Sequence, residues 1–249
     1  MDLTGKIIVA TGAASGIGKA TALACAQAGA DLLLTDIVAD KLEATVAGIE
    51  AMGAAGRVLG IAADLREEAE VTALFDRAAA DFGRIDGVFA NAGITGNRLP
   101  ATELDFASWN EVMAINLHGT FHTVMAGARR LVAQGGGGSI VISGSSQGVR
   151  PLPGFIAYAA SKGALHNLAQ SLAFELAAHR IRVNVLVPGT TNTELVRAMP
   201  GHGERVAKTF PLGELAEPEE LAQFVVFAMS DLAPHMTGTL LKIDSGRLI

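Results

Sequence analysis

The chain has 249 residues, half of them hydrophobic and 18% charged, with a net charge of −6 and one cysteine, Cys25. That composition excludes a disordered chain and an internal disulfide, and the acidic balance offers no footprint for nucleic acid. No apolar stretch approaches the roughly eighteen residues of a membrane span, and the first predicted strand starts too early to leave room for a signal peptide. A cytoplasmic protein with a single α/β domain over residues 1–249 is therefore expected.

Residues 6–10 are apolar and rich in branched side chains, and read as a buried strand. The chain then passes through Thr11, Gly12, Ala13, Ala14, Ser15, Gly16, Ile17 and Gly18 into an alanine-rich helix over 19–28, which Gly29 can stop. A strand, a glycine turn and a helix N-terminus present free N–H groups and a positive dipole end to a phosphate. The spacing is not Gly-x-Gly-x-x-Gly, and a P-loop would need glycine at Ala13 and Ser or Thr at Ala20. Taken alone, the turn also fits an ordinary β–α connection. Cys25 lies on this helix among alanines and reads as inert core.

A second strand, 31–35, ends at Asp36. That acid lies about twenty residues past the glycine turn, where a dinucleotide site places a carboxylate on the ribose 2′-hydroxyl. It would repel a 2′-phosphate, and Ile37, Val38 and Ala39 supply no compensating cation. Asp36 is also placed to cap the helix beginning near Asp40, but the turn at the correct distance upstream favours the ribose. A third strand, 58–63, runs into Asp64 and Leu65, and a charged helix follows over 67–82. Strands at 85–90, 139–143, 182–187 and Leu240–Ile243 and long helices at 106–133 and 158–178 complete the pattern. Gly135 to Gly138 read as a flexible connection. This alternation predicts a Rossmann-type, doubly wound three-layer α/β sandwich with a seven-stranded parallel sheet. Ligands of such sheets bind outside the carboxyl ends of the strands, and Gly12, Asp36, Asp64, Asn91, Ser145 and Pro188 all fall there.

The one tyrosine, Tyr158, precedes Lys162 by a helical turn, so the phenol and the ammonium share a face. A positive neighbour is expected to lower the phenol's pKa from about 10 toward neutrality, where it serves as a general acid/base. Alone, the pair also fits a tyrosine beside a solvated lysine.

Together, the glycine turn, Asn91-Ala92-Gly93, Asn116, Ser145 ahead of Tyr158 and Lys162, and the run from Asn184 to Gly189 resemble the short-chain dehydrogenase/reductase family. The resemblance covers essentially the whole chain. It implies a catalytic set of Asn116, Ser145, Tyr158 and Lys162. Ser145 is chosen over Ser143 and Ser146 because the family's serine lies thirteen residues before the tyrosine. It further implies that Asn116 holds a water relaying protons from Lys162, although on residue type alone a buried polar tie is the simpler reading of Asn116. It implies a nicotinamide dinucleotide held by Gly12, Ser15, Gly16, Ile17, Gly18 and Asp36 at the phosphates and ribose. Asp64 would meet the adenine amino group, with Leu65 giving a backbone contact; Asp64 is equally placed as a helix N-cap before Arg66. Asn91, Ala92 and Gly93 would let backbone pass close to the cofactor. Tyr158, Lys162, Pro188, Gly189, Thr191 and Thr193 would hold its nicotinamide end. Two residues depart from the family's pattern: Ala90, where an asparagine is usual, and Thr191, where a branched apolar residue is usual.

The resemblance implies a lid over residues 189–211 and substrate contacts from Ser145, Gln147, Arg150, Phe155 and Tyr158. Ile94, Leu152, Leu195 and Met199 are further apolar candidates. Arg98 and Arg150 suit either an anionic substrate group or a solvated rim. His118 and His122 stand one turn apart but lack a third ligand, so no metal is expected. No charge lies between Lys162 and Glu175, leaving a helix face that needs cover and predicting a homo-oligomer, with a tetramer implied by the family. The expected activity is NAD-dependent interconversion of a secondary alcohol and its ketone. An NADPH-type ketone reductase conflicts with Asp36. A nucleotide-sensing regulatory protein on the same fold would be expected to lack part of the catalytic set.

Overall fold

Along the strands, successive side chains go to opposite faces of one sheet, and each face builds its own core. In the computed structural model, which describes residues 1–199 and 201–249 and every side chain among them except that of Leu195, β1 is Ile7–Thr11. Its Ile8 and Ala10 join one core, while Ile7 and Val9 join the other. β2 (Asp31–Asp36) repeats the division, with Leu32 and Leu34 on the first face and Leu33 on the second. Period-two alternation in a run apolar on both sides is what a doubly covered parallel sheet demands.

The remaining strands are β3 (Val58–Ala62), β4 (Gly87–Ala90), β5 (Gly138–Ser143), β6 (Ile181–Pro188) and β7 (Leu240–Ile243). All neighbours pair in parallel, in the order β3-β2-β1-β4-β5-β6-β7. The order reverses between β1 and β4, which opens a crevice at the carboxyl ends of those two strands. Helices α1 (Gly16–Gln27), α2 (Ala39–Ala51) and α9 (Pro218–Met229) cover the first face. Helices α3 (Glu68–Phe82), α5 (Thr120–Gln134) and α6 (Ile156–Leu176) cover the second. Short helices α7 (Glu194–Arg197) and α8 (His202–Ala207) follow β6. No helix among the described residues is long and apolar enough to cross a membrane.

Three local expectations are corrected. The helix expected over 106–133 is α4 (Phe106–Met113), a π-helical turn at Ala114–Gly119, and then α5. Gly119 permits close packing there, since a Cβ on it would lie 3.1 Å from Cβ of Leu65. Gly138 belongs to β5, paired with Ile181, so only Gly135, Gly136 and Gly137 form the connection, all with positive φ. Asp64 does not cap α3, because Glu67 is the N-cap and Asp64 binds Arg66 through both the Arg66 N–H and its guanidinium.

Candidate active site

The glycine turn is shaped by contacts that leave no space for side chains. A Cβ on Gly18 would lie 1.9 Å from the Gly12 carbonyl oxygen, and one on Gly12 would lie 2.8 Å from Cα of Ala92. Gly12 and Gly16 also adopt φ of 64° and 51°, which favours glycine. Thr11, ending β1, accepts from the N–H groups of both Asn91 and Ala92 at 3.0 and 3.2 Å. Asn91 returns its amide to the carbonyls of Thr11 and Gly12. The carboxyl ends of β1 and β4 are thereby locked together, and the α1 N-terminus opens into the crevice. Ser15, the N-cap, makes no side-chain cap bond, and the first turn carries no acid. This cradle fits a dinucleotide phosphate, which would take the free N–H groups that a capping side chain usually satisfies.

Asp36 faces the same turn. Its Oδ2 accepts from the Ala14 N–H at 3.0 Å and its Oδ1 from the Val38 N–H at 3.1 Å. The carboxylate stays half-buried at the end of β2 beside the turn, as a ribose site requires. The alternative role, capping of α2, occurs only indirectly, because Val38 is the N-cap and Asp36 holds its N–H. Leu65 is buried, and its carbonyl meets Nδ1 of His122 at 3.0 Å. On the far side of the crevice, a Cβ on Gly16 would lie 3.4 Å from Cγ2 of Thr193, so the segment after β6 crosses the glycine turn. Pro188 ends β6, Gly189 packs against the backbone of Asp244, and Thr191 pairs with Ala216 in an isolated parallel bridge.

The four residues of the expected catalytic set converge from β5, the π turn and α6. Ser145 is 7% exposed and its Oγ accepts from the Gln147 N–H at 3.1 Å. A Ser145 hydrogen bond pulls the Tyr158 pKa down, but burial outweighs it and leaves the phenol above its ordinary value. The expected lowering by Lys162 is therefore corrected. The Lys162 Nζ sits over the ring, 5.8 Å from its centroid, and donates to the Ser143 carbonyl at 2.7 Å. Burial pushes Lys162 itself down to about 8.

Asn116 is fully buried in the π turn. Its Oδ1 accepts from the Ile94 N–H at 2.7 Å, and its Nδ2 donates to the Ile94 carbonyl and to Oγ of Ser161. The side chain is thus a buried tie from the π turn to the segment after β4 and to α6. A Cβ on Gly93 would lie 3.1 Å from Asn116 Oδ1 and 3.5 Å from Lys162 Nζ, so this glycine keeps backbone between them.

Beside Tyr158 a small cleft is lined by Thr95, Asn97, Val112, Phe155 and Ile156. A larger hollow of about 350 Å³, at Gly56 and Val58, lies at the amino ends of the strands and holds none of the catalytic set. Arg98 stacks over Phe155, with its guanidinium 5.7 Å from the ring centroid. Gln147 Oε1 is buried with no partner among the described residues. Arg150 is exposed and exchanges hydrogen bonds with Arg247, each guanidinium donating to the other's carbonyl. Leu152 and Met199 are exposed, and the Leu195 side chain lies outside what is described. His118 is exposed and His122 is engaged with Leu65; among the described residues no group of three metal-ligating side chains gathers. Cys25 is buried, and burial raises its thiol to about 12, consistent with inert core.

Sequence reasoning missed Thr11, Ser161, His166 and Arg247. Ser161 and His166 were accessible in principle, since they lie three and eight residues after Tyr158 on a helix already assigned to catalysis.

Residues 12–247 match the family described as enoyl-(acyl carrier protein) reductase. The chain is 38% identical over 244 residues to cis-4-hydroxycyclohexanecarboxylate dehydrogenase of Sinomonas cyclohexanicum, covering 97% of this chain and 96% of that one. It is 39% identical over 249 residues to D-threitol dehydrogenase of Mycolicibacterium smegmatis, with 99% and 94% covered. The crystal structure of NAD+-bound xylitol dehydrogenase superposes with a TM-score of 0.93 at 30% identity, covering 99% of this chain and 100% of that one. The chain belongs to the short-chain dehydrogenase/reductase family and is an oxidoreductase of alcohol and ketone substrates.

Proposed function

We propose that the chain is an NAD(H)-dependent dehydrogenase that interconverts a small, polar secondary alcohol and its ketone, with Tyr158 as general acid/base. The observation that carries this reading is the half-buried Tyr158 at the small cleft, with the buried Lys162 Nζ 5.8 Å from its ring centroid and the buried Ser145 as its neighbouring hydroxyl. The bound nicotinamide would accept or return the hydride. The protein's part is to hold the substrate and move one proton.

In reduction, the Tyr158 hydroxyl gives its proton to the carbonyl oxygen as that oxygen becomes an alkoxide; in oxidation, the phenolate, formed by prior loss of the phenol proton to solvent, takes the hydroxyl proton of the substrate. Ser145 suits the substrate oxygen because its Oγ already accepts from Gln147, so its one hydrogen, directed toward the Tyr158 oxygen, is the donor that a substrate oxygen between them would share. Such a donor is worth about 3 kcal/mol in the transition state. Lys162 works here less as a fixed cation than as a group able to lose and regain a proton near pH 8. Asn116 keeps Ile94 and Ser161 in register; its two amide hydrogens are committed, so any water on the proton path would have to use other groups.

Asp36 favours NAD over NADP, and the NAD+-bound structural relative agrees with that preference. The relatives act, by their names, on a ring alcohol carrying a carboxylate and on a polyol. Gln147, with a buried oxygen that has no partner among the described residues, would accept from a second polar group of such a substrate, while Phe155 would pack on its carbon frame and the exposed Arg150 would meet an anionic group. Residues 189–211 act as the lid of a single domain over 1–249. Exposed Phe106, Phe121 and Phe174 on the second face give a homotetramer apolar surface to bury. The protein acts in the cytoplasm without nucleic-acid or membrane partners or a catalytic metal.

The test is a panel of cyclic alcohols, polyols and their ketones with NAD(H) and NADP(H), followed by NAD(P)H absorbance. Turnover of at least one secondary alcohol with NAD supports the reading. A preference for NADP, or activity confined to substrates without a carbinol or carbonyl, contradicts it.

A further inference from the structure

His166 is a buried ionisable group that the proposed reaction does not use. It lies on α6 one turn after Lys162 and is 6% exposed. Its ring is wedged between the two glycines that bracket Ser145. A Cβ on Gly144 would lie 2.4 Å from its Nε2, and one on Gly148 would lie 2.7 Å from its Cε1. Between them, the Ser145 backbone N–H donates to the His166 Nε2 at 3.3 Å. Ser145 is thus held at two points, its N–H by the imidazole and its Oγ by the Gln147 N–H.

We propose that His166 is a positioning residue: its Nε2 accepts the Ser145 N–H and so sets where the Ser145 hydroxyl meets the substrate oxygen. The inference rests on the dehydrogenase reading given above. An acceptor at Nε2 requires the ring to be neutral and to carry its proton on Nδ1. Burial first, and the Lys162 charge second, hold the ring's pKa down to about 4, which keeps the acceptor present through the working range. The two small neighbours follow from the same arrangement. Glycine at 144 and 148 is what lets an imidazole reach the loop, where a Cβ at either position would expel it. An aliphatic side chain in place of His166 would leave the Ser145 N–H buried without a partner, and the loop would shift to find one.

The test compares His166→Met with His166→Gln. Methionine fills a similar volume but offers no acceptor of comparable strength, whereas the glutamine side-chain oxygen reaches about as far as Nε2. The expected result is a fall in kcat of about tenfold for His166→Met, the equivalent of about 1.4 kcal/mol, with the affinity for NADH unchanged. His166→Gln should stay within about threefold of wild type. A purely structural role would lower the melting temperature of both variants without separating their kcat values. Wild-type kcat in His166→Met, or equal losses in the two variants, overturns the proposal.

A second measurement needs no variant to be active. Nitrogen NMR of 15N-histidine-labelled wild-type protein at pH 7 should show the His166 ring neutral and protonated at Nδ1, its signals assigned by their loss in His166→Gln. A spectrum without such a ring, or with His166 protonated at Nε2, overturns the assignment. If wild type turns over no alcohol or ketone, the dehydrogenase reading fails, and the NMR result still decides whether His166 holds the loop.

Discussion

The depressed pKa of Lys162 links a catalytic feature to stability, and the link can be measured. Lys162 falls from 10.5 to about 8 because burial penalises its ammonium. The folded state therefore prefers the neutral amine, and between these values the unfolded chain holds more protons than the folded one. Stability then rises with pH across that window, since ∂ΔG/∂pH has the sign of the unfolded-minus-folded proton count. At pH 8 the folded lysine is half protonated, and by pH 9 nearly all of it is neutral, while the unfolded lysine remains charged. Integrating that difference gives about 1 kcal/mol between pH 8 and 9. For a chain of this size the change corresponds to a rise of about 2–4 °C in melting temperature. Cys25 works in the opposite direction, since its unfolded thiol begins to ionise below its ordinary value of 9.0, and it offsets about a third of the change by pH 9. The assay is thermal unfolding of wild type and Lys162→Met from pH 7 to 9, read as the difference between the two, so that unrelated groups cancel. The gap should move by about 1 kcal/mol toward wild type from pH 8 to 9. A gap that stays constant over that range would refute the reasoning, because the lysine would then titrate alike in both states.

Gly18→Ala puts a Cβ 1.9 Å from the Gly12 carbonyl oxygen, a backbone atom that cannot swing away. The variant should lose about 3 kcal/mol of stability together with measurable NADH binding, checked by unfolding and by NADH fluorescence titration. Asp36→Ala removes the carboxylate beside the turn and also the acceptor of the Ala14 N–H. It should weaken NAD and narrow an NAD preference of about a hundredfold, about 2.7 kcal/mol, without making NADP a good cofactor; kcat/KM for both nucleotides in wild type and variant is the comparison. Prolonged chelation should leave activity unchanged, since proton transfer is assigned to side chains, and a loss restored by zinc or magnesium would count against the site.

Much of the fold could be read from the chain because the sheet's requirements are local. Strands that are apolar on both faces and turns that need glycine leave marks in residue type, and β7 over Leu240–Ile243 falls at the residues the sequence marks. Strand ends differ by one or two residues elsewhere, as at β4, where hydrogen bonding begins at Gly87 rather than at residue 85. The π turn was illegible, since an extra residue in one helical turn leaves no mark in side-chain propensity. Within the site, the nearness of Lys162 to Tyr158 was legible from spacing on one helix, and the choice of Ser145 came from the family resemblance. The direction of the tyrosine's shift was not legible, because it is set by burial of the phenol, which depends on segments distant in sequence packing around it. His166 escaped notice for a related reason. A lone histidine on an apolar helix carries no pattern until the loop between Gly144 and Gly148 is seen to close over it.

The central claim is that Tyr158 transfers the proton, and Tyr158→Phe tests it most directly, since the ring and its packing remain while the phenol oxygen is removed. NADH formation at saturating alcohol and NADH binding by fluorescence should both be measured on wild type and variant. The account predicts a fall in kcat of about a hundred- to ten-thousand-fold with NADH affinity nearly unchanged. Retention of about a tenth or more of wild-type turnover, against the fall that losing a general acid/base brings, would contradict it.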